Sequence, residues 1–209
     1  NGPPPDPRIA TMEGAGSSIG RFLYGAIPGG PSVAQGSMWQ YLHQFRKPLI
    51  GAVKGYAIGG GWELAEACDL IVAGESAKFG CFEVKLGLYP FGLGSQYLAR
   101  TVGKHRALWL MMTGELIDAQ TALDWGLVNQ IVSDHECLDA AVALARQVTK
   151  HAPLALATMK YMTNKALALE EHYDLERALA YHLQNTEDTK AAWASAASQT
   201  TDAIEFKNR

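Results

Sequence analysis

The spacing of apolar and polar positions changes along the chain, and the change divides it in two. Pro48-Leu49-Ile50-Gly51-Ala52-Val53 is short and apolar without helical period, which predicts a buried strand. Leu64, Ala65, Ala67 and Cys68 then fall on one face of a helix. A second helix runs from Asp118 to Trp125 and closes at Gly126, after which Leu127-Val128-Asn129-Gln130-Ile131-Val132 reads as another strand. Beyond Val132 the helical period takes over. Leu138, Ala141, Val142, Ala145 and Val148 share a face, Pro153 opens a helix to about Ala168, and Glu171 to Asn185 and Thr186 to Ala197 complete a helical tail. The pattern predicts an α/β core over residues 1–132 and a helical region over residues 133–209. No internal repeat or long low-complexity segment interrupts it.

The junction of the first strand and helix carries the candidate chemistry. Gly59-Gly60-Gly61 stands between Tyr56-Ala57-Ile58 and Trp62-Glu63-Leu64. Three residues without Cβ permit positive φ and close approach to the backbone, and the first N–H groups of a helix have no partner inside it. Such a turn is either a plain tight turn or a site that stabilises negative charge. It lacks the G-x-G-x-x-G spacing of a dinucleotide site, and Trp62-Glu63 follows where a phosphate loop needs Gly-Lys-Ser/Thr. Glu63 opens the helix behind the glycines, and Glu83 follows a short strand twenty residues later. Two carboxylates close together in a partly dry site cannot both ionise cheaply, so they titrate as a unit and can serve as one acid and one base. Apart and in water, each is an ordinary surface residue.

The run Gly55-Tyr56-Ala57-Ile58-Gly59-Gly60-Gly61-Trp62-Glu63-Leu64 resembles the enoyl-CoA hydratase/isomerase, or crotonase, superfamily. So do Lys47 to Val53, Cys68-Asp69-Leu70-Ile71-Val72-Ala73, Ala77-Lys78-Phe79-Gly80 and Glu83-Val84-Lys85-Leu86-Gly87-Leu88-Tyr89-Pro90, in that order. Gly103 to Ala107, Thr113 to Ala119 and Ala122 to Val128 extend the resemblance, which covers about residues 46–209. It implies a ββα spiral core with a C-terminal helical trimerisation region, and an enzyme acting on acyl-CoA thioesters. It also implies an oxyanion hole with Gly60 N–H as one of its two donors. Glu83 maps to proton exchange at C2 of a 2-enoyl thioester and Glu63 to activation of the water that adds at C3. Hydro-lyase activity in fatty acid metabolism would follow, with coenzyme A as part of the substrate and no separate cofactor. An isomerase or another enolate-forming reaction is the enzymatic alternative, and a non-catalytic acyl-CoA-binding or RNA-binding member is the other.

Phe91 stands after Tyr89-Pro90 where many hydratases have a glycine, and Trp62 is larger than the small residue often found beside the first glutamate. Tyr56, Ile58, Trp62, Tyr89 and Phe91 are therefore expected at the acyl pocket, with ordinary core packing the alternative for the aromatics. The front is where the resemblance weakens. Arg8 to Gly16 looks like the strand leading to the loop that donates the second oxyanion N–H, but Ser17-Ser18-Ile19-Gly20-Arg21-Phe22 follows without that loop's pattern. The expectation is a stretch omitted between about Gly16 and Ile19, the alternative a lost half of the oxyanion hole. Asn1 to Pro7 is expected to be extended because of its prolines. The tail would form a homotrimer or a dimer of trimers and cover the acyl pocket, or else cap its own monomer. Phe206-Lys207 matches the family's terminal pair, and Lys207 would suit the phosphates of CoA.

Composition narrows the classes without choosing a reaction. The 209 residues, 48% hydrophobic and 19% charged, suffice for one sizeable core. A net charge of −3 and the lack of basic clusters interleaved with aromatics argue against nucleic-acid binding. No apolar run is long enough to span a membrane, and no basic-then-apolar leader stands at the start. Cys68, Cys81 and Cys137 lack C-x-x-C spacing and are expected to be reduced thiols of a cytoplasmic protein. His43, His105, His135, His151, His172 and His182 form no metal pattern, and Ser95 lacks the glycine after it that a nucleophile elbow requires.

Overall fold

The computed structural model describes residues 38–92, 94–167 and 181–198. Helix α1 (Met38–Gln44) leads into strands β1 (Ile50–Val53) and β2 (Tyr56–Ile58), and helix α2 (Gly60–Glu66) follows. The two-strand step recurs in β3 (Leu70–Gly74) and β4 (Lys78–Gly80), after which come a 3-10 helix (Glu83–Leu86), α3 (Gly94–Val102) and α4 (Lys104–Thr113). Then follow β5 (Ile117–Asp118), α5 (Ala119–Asp124), β6 (Gln130–Val132), α6 (Cys137–Val148) and α7 (Pro153–Ala166). Helix α8 (Glu187–Ser198) belongs to the tail.

Each step sends its first strand to one sheet and its second to another. One sheet is parallel in the order β1-β3-β6; the other has the order β2-β4-β5, with β2 and β4 parallel and β5 antiparallel. The chain thus winds as a ββα spiral. Successive windings are stitched where it changes sheets: Gly55, at φ 64°, accepts the Lys78 N–H at 2.8 Å and donates to Ser76 Oγ at 3.1 Å. The strand period then sorts the side chains. Ile71 and Ala73 face the main core with Trp62, Phe79, Leu98 and Leu110, while Val72 faces the other way onto Cys137 and Ala141 of α6. The described part of residues 133–209 therefore begins with a helix that shares the core.

Several expected elements have shifted ends. The α5 segment is helical over Ala119–Asp124, with Asp118 as its N-cap accepting the Thr121 N–H at 2.8 Å and Gly126 at φ 78° past its end. Of Leu127 to Val132 only Gln130–Val132 is strand. Leu127 N–H closes the end of α5 by donating to Ala122 O at 2.8 Å, and Asn129 clamps Ile71 through both its backbone and its side chain, at 2.9 and 2.7 Å. Those bonds take the place of a ladder. The expected helix from Glu171 lies outside the described residues except at its end.

Helix α7 buries none of its residues and is tied to the core by charge. Asp69 Oδ2 accepts the Leu49 N–H and the Lys160 ammonium, each at 2.7 Å, and Lys160 also donates to Lys47 O at 3.1 Å. Asp69→Ala leaves that N–H without its acceptor and the half-buried Lys160 ammonium with Lys47 O but no counter-charge. The change is expected to lower the unfolding free energy by about 2–4 kcal/mol in a urea titration. Asp69→Asn, which keeps an acceptor for Leu49, is expected to cost less.

Candidate active site

Strands β2 and β4 are parallel neighbours, with Ile58 opposite Gly80, so the segments that leave their C-terminal ends start side by side. One segment is the glycine turn that opens α2 and the other runs into the 3-10 helix. Gly59 holds the turn at φ 55° and donates to Gly80 O at 3.1 Å, which binds the two exits together. Glu63 lies in the first turn of α2 and Glu83 begins the 3-10 helix. Both are buried, with 2% and 4% of their surface exposed.

Their surroundings differ. Glu63 Oε1 accepts the Gly92 backbone N–H, and its side chain runs so close to Gly94 that a Cβ there would sit 2.8 Å from Glu63 Cγ. Neither carboxyl oxygen of Glu83 has a hydrogen-bond partner among the described residues, although both are buried. A Cβ on Gly59 would lie 3.5 Å from Glu83 Oε1, so the bare turn faces this carboxyl. Burial pushes the Glu83 carboxyl up to about 7. The Cys81 thiol between the two elements is buried too, and burial together with the Glu66, Glu83 and Glu63 carboxylates drives it far above its ordinary range.

A model of the family described as enoyl-CoA hydratase/isomerase matches residues 29–201. The chain belongs to the enoyl-CoA hydratase/isomerase family. A 2,3-dehydroadipyl-CoA hydratase of Escherichia coli (strain K12) is 43% identical over 153 residues, covering 72% of this chain and 60% of that protein. A probable enoyl-CoA hydratase of Rhizobium meliloti (strain 1021) is 40% identical over 173 residues, covering 82% and 66%. The chain thus spans less than two thirds of the length of these curated relatives. Among solved structures, a carnitinyl-CoA hydratase from Mycobacterium avium superimposes with a TM-score of 0.74 at 37% identity, over 79% of this chain and 66% of that one. A methylmalonyl-CoA decarboxylase in complex with 2-nitronate-propionyl-CoA does so with a TM-score of 0.71 at 25% identity, over 82% and 66%. The crotonase fold of the spiral follows from these likenesses.

The residues expected at the pocket separate into three groups. Gly60 heads α2, where the helix supplies no acceptor for its N–H, and Ile58 is half-buried just before the turn. Tyr89 and Phe91 are half-buried on the segment beyond Glu83, their ring centroids 6.4 Å apart. Trp62 instead lies in the main core, 1% exposed, in a T-shaped contact with Phe79 at 5.6 Å between ring centroids, and Tyr56 is 69% exposed at the start of β2. Lys207, like the front segment where the resemblance would put the second oxyanion donor, lies outside the described residues. Sequence reasoning missed Gly92 and Gly94. The signal was the pair of glycines two apart after Pro90, which suits a backbone that must approach a side chain closely. Trp39 of α1 closes this loop from behind, its ring so near Gly92 that a Cβ there would be 2.5 Å from it.

The Glu83 carboxyl ionises about 7 in the folded protein against an ordinary value of 4.5. Between these values the folded state binds more protons than the unfolded one, so stability falls as pH rises through that window and levels off above it. Glu83→Gln removes the penalty on the buried charge. The variant is expected to be more stable than wild type by about 2–3 kcal/mol at pH 8, with the gain gone at pH 4, as read by urea unfolding at both pH values.

Proposed function

We propose that the protein is an enzyme that hydrates a 2-enoyl-CoA thioester, with coenzyme A carried by the substrate and no further cofactor. The observation that carries this reading is the unequal surroundings of two buried glutamates: Gly92 N–H meets Glu63, and Glu83 meets no donor among the described residues. A backbone donor favours charge on the oxygen it meets, and burial without one favours the neutral acid. Hydration needs that division of labour, a base on one side and an acid on the other.

In the proposed reaction a water between the two side chains gives a proton to Glu63 as its oxygen bonds to C3. The C2–C3 π electrons move toward the thioester, and the charge that develops on its oxygen is met by the Gly60 N–H. A preorganised donor of this kind typically lowers a barrier by about 3 kcal/mol. Glu83 then delivers its proton to C2, which leaves Glu63 protonated and Glu83 charged until a proton returns through solvent. Ile58, Tyr89 and Phe91 border the acyl chain, and Lys207 meets the phosphates of CoA. Relatives named as hydratases at 40–43% identity support the reaction class. We further propose a homotrimer or a dimer of trimers, with the exposed Leu154, Met159, Tyr161 and Met162 of α7 turned toward a neighbouring subunit.

The test follows the loss of absorbance of the conjugated thioester with straight, branched and aryl 2-enoyl-CoAs. Wild type is expected to turn over at least one, and Glu63→Gln and Glu83→Gln each to lower kcat at least about a hundredfold with CoA-ester binding retained. Silence of wild type across the panel, with CoA esters still bound, overturns hydration in favour of another enolate reaction or of binding alone. In the hydration direction kcat/KM is expected to fall above about pH 7, as Glu83 loses the proton it must donate. A profile flat from pH 6 to 9 contradicts that role.

A further inference from the structure

Among the described residues three polar or charged side chains are classed as buried: Glu63, Glu83 and Thr189. The first two belong to the site; Thr189 comes from the tail, more than a hundred residues away in sequence. Thr186 accepts the Thr189 N–H at 3.2 Å just before α8 begins, as an N-cap does, and this presents Thr189 on the first turn. The Thr189 hydroxyl donates to Gly87 O at 3.2 Å. Gly87 is the left-handed cap of the 3-10 helix that Glu83 begins, at φ 72°. A Cβ on it would stand 3.0 Å from Thr189 Oγ1 and 3.4 Å from Thr189 Cα, so α8 rests directly on bare backbone.

Where Glu83 sits depends on that short helix. Among the described residues its carboxyl has no hydrogen bond to fix it, and the backbone carries the task. Leu88 N–H donates to Glu83 O at 3.0 Å and Gly87 N–H to Val84 O at 3.2 Å, which makes Gly87 the point where the turn closes. The opposite side is closed by Gly114 at the end of α4, where a Cβ would lie 2.8 Å from Lys85 Cε and 3.1 Å from Val84 Cγ1. The 3-10 helix is thus pinched between two glycine contacts, and only the one on the tail side has a hydrogen-bonding side chain across it.

We propose that Thr189 is a positioning residue for the reaction, its hydroxyl fixing the cap of the 3-10 helix and through it the place of the Glu83 carboxyl. This rests on the hydration reading. It makes the tail helix part of the mount of the acid. Misplacing a reacting group by a fraction of an ångström is felt mainly in turnover, whereas substrate binding is spread over many contacts.

Thr189→Val and Thr189→Ala remove the hydroxyl, and Thr189→Ser keeps it. The first two are expected to lower kcat about tenfold with KM within about twofold, and Ser to return kcat to within about threefold of wild type. Ala194→Gly weakens the same helix with the hydroxyl intact and is expected to leave kcat near wild type. Amide exchange gives a second readout. Leu88 N–H is expected to exchange at least about tenfold faster in Val and Ala than in wild type and Ser. Wild-type kcat in both Val and Ala overturns the proposal, as does a Ser variant that falls as far as they do. Should wild type hydrate no 2-enoyl-CoA, hydration falls alone and Leu88 exchange decides the clamp: unchanged rates in Val and Ala refute it.

Discussion

Glu83 is buried with neither carboxyl oxygen hydrogen-bonded among the described residues, and most of the site's construction answers that condition. Removing a polar group from water without giving it a partner costs about 1–3 kcal/mol, and much more if the group is charged. A carboxyl in this position stays protonated to near neutral pH, which makes it an acid where an exposed glutamate would be a carboxylate. It also lacks the bonds that would hold a side chain still. The surrounding structure therefore holds the backbone: Leu88 N–H closes the turn, Gly114 lies close against Val84 and Lys85, and Gly87 rests on α8. Stability is given up at the carboxyl and recovered in the packing around it.

The spiral explains how residues twenty apart come to neighbouring elements. One winding of the chain brings β4 alongside β2 in parallel register, and the carboxyl ends of neighbouring parallel strands are about 5 Å apart. Whatever leaves those two ends must share a space, in the way ligand sites gather at the carboxyl ends of parallel strands. On one exit stands a glycine turn and on the other a short 3-10 helix. Both shapes bring a glutamate inward within a few residues. The first sheet contributes support rather than chemistry, with Ile71 and Ala73 on the main core and Val72 under α6.

Local patterns made the glycine turn and its glutamate legible in the sequence. An apolar run, three glycines and an amphipathic stretch can only be a strand, a turn and a helix, and the glutamate behind the glycines goes where the helix starts. Trp62 could not be read the same way, because an aromatic beside a glutamate fits a pocket wall as well as a core. Its place beside Phe79 depends on β4, which belongs to the next winding. Leu127 and Val128 look like strand residues and are buried, yet Leu127 N–H is used in closing α5, and it is Asn129, the next residue, that clamps Ile71. Gly92 and Thr189 act through contacts spanning 29 and 102 residues, for which no local period exists.

Membership of the family does not select the reaction, since the spiral superimposes almost equally well on a carnitinyl-CoA hydratase and on a methylmalonyl-CoA decarboxylase, at TM-scores of 0.74 and 0.71. An enolate stabilised by backbone N–H groups serves either chemistry, so the glycine turn is silent on the choice. The choice falls to what stands at the reacting carbons. A single buried acid can protonate C2 but cannot also draw a proton from water at C3. Two carboxyls in identical settings would share one proton with no preference for which holds it. Here Gly92 N–H breaks the symmetry by meeting Glu63 alone, and the empty surroundings of Glu83 break it further in the same sense. Under the proposed hydration a base and an acid are thereby set apart within one site, the condition under which water can be split between two neighbouring carbons.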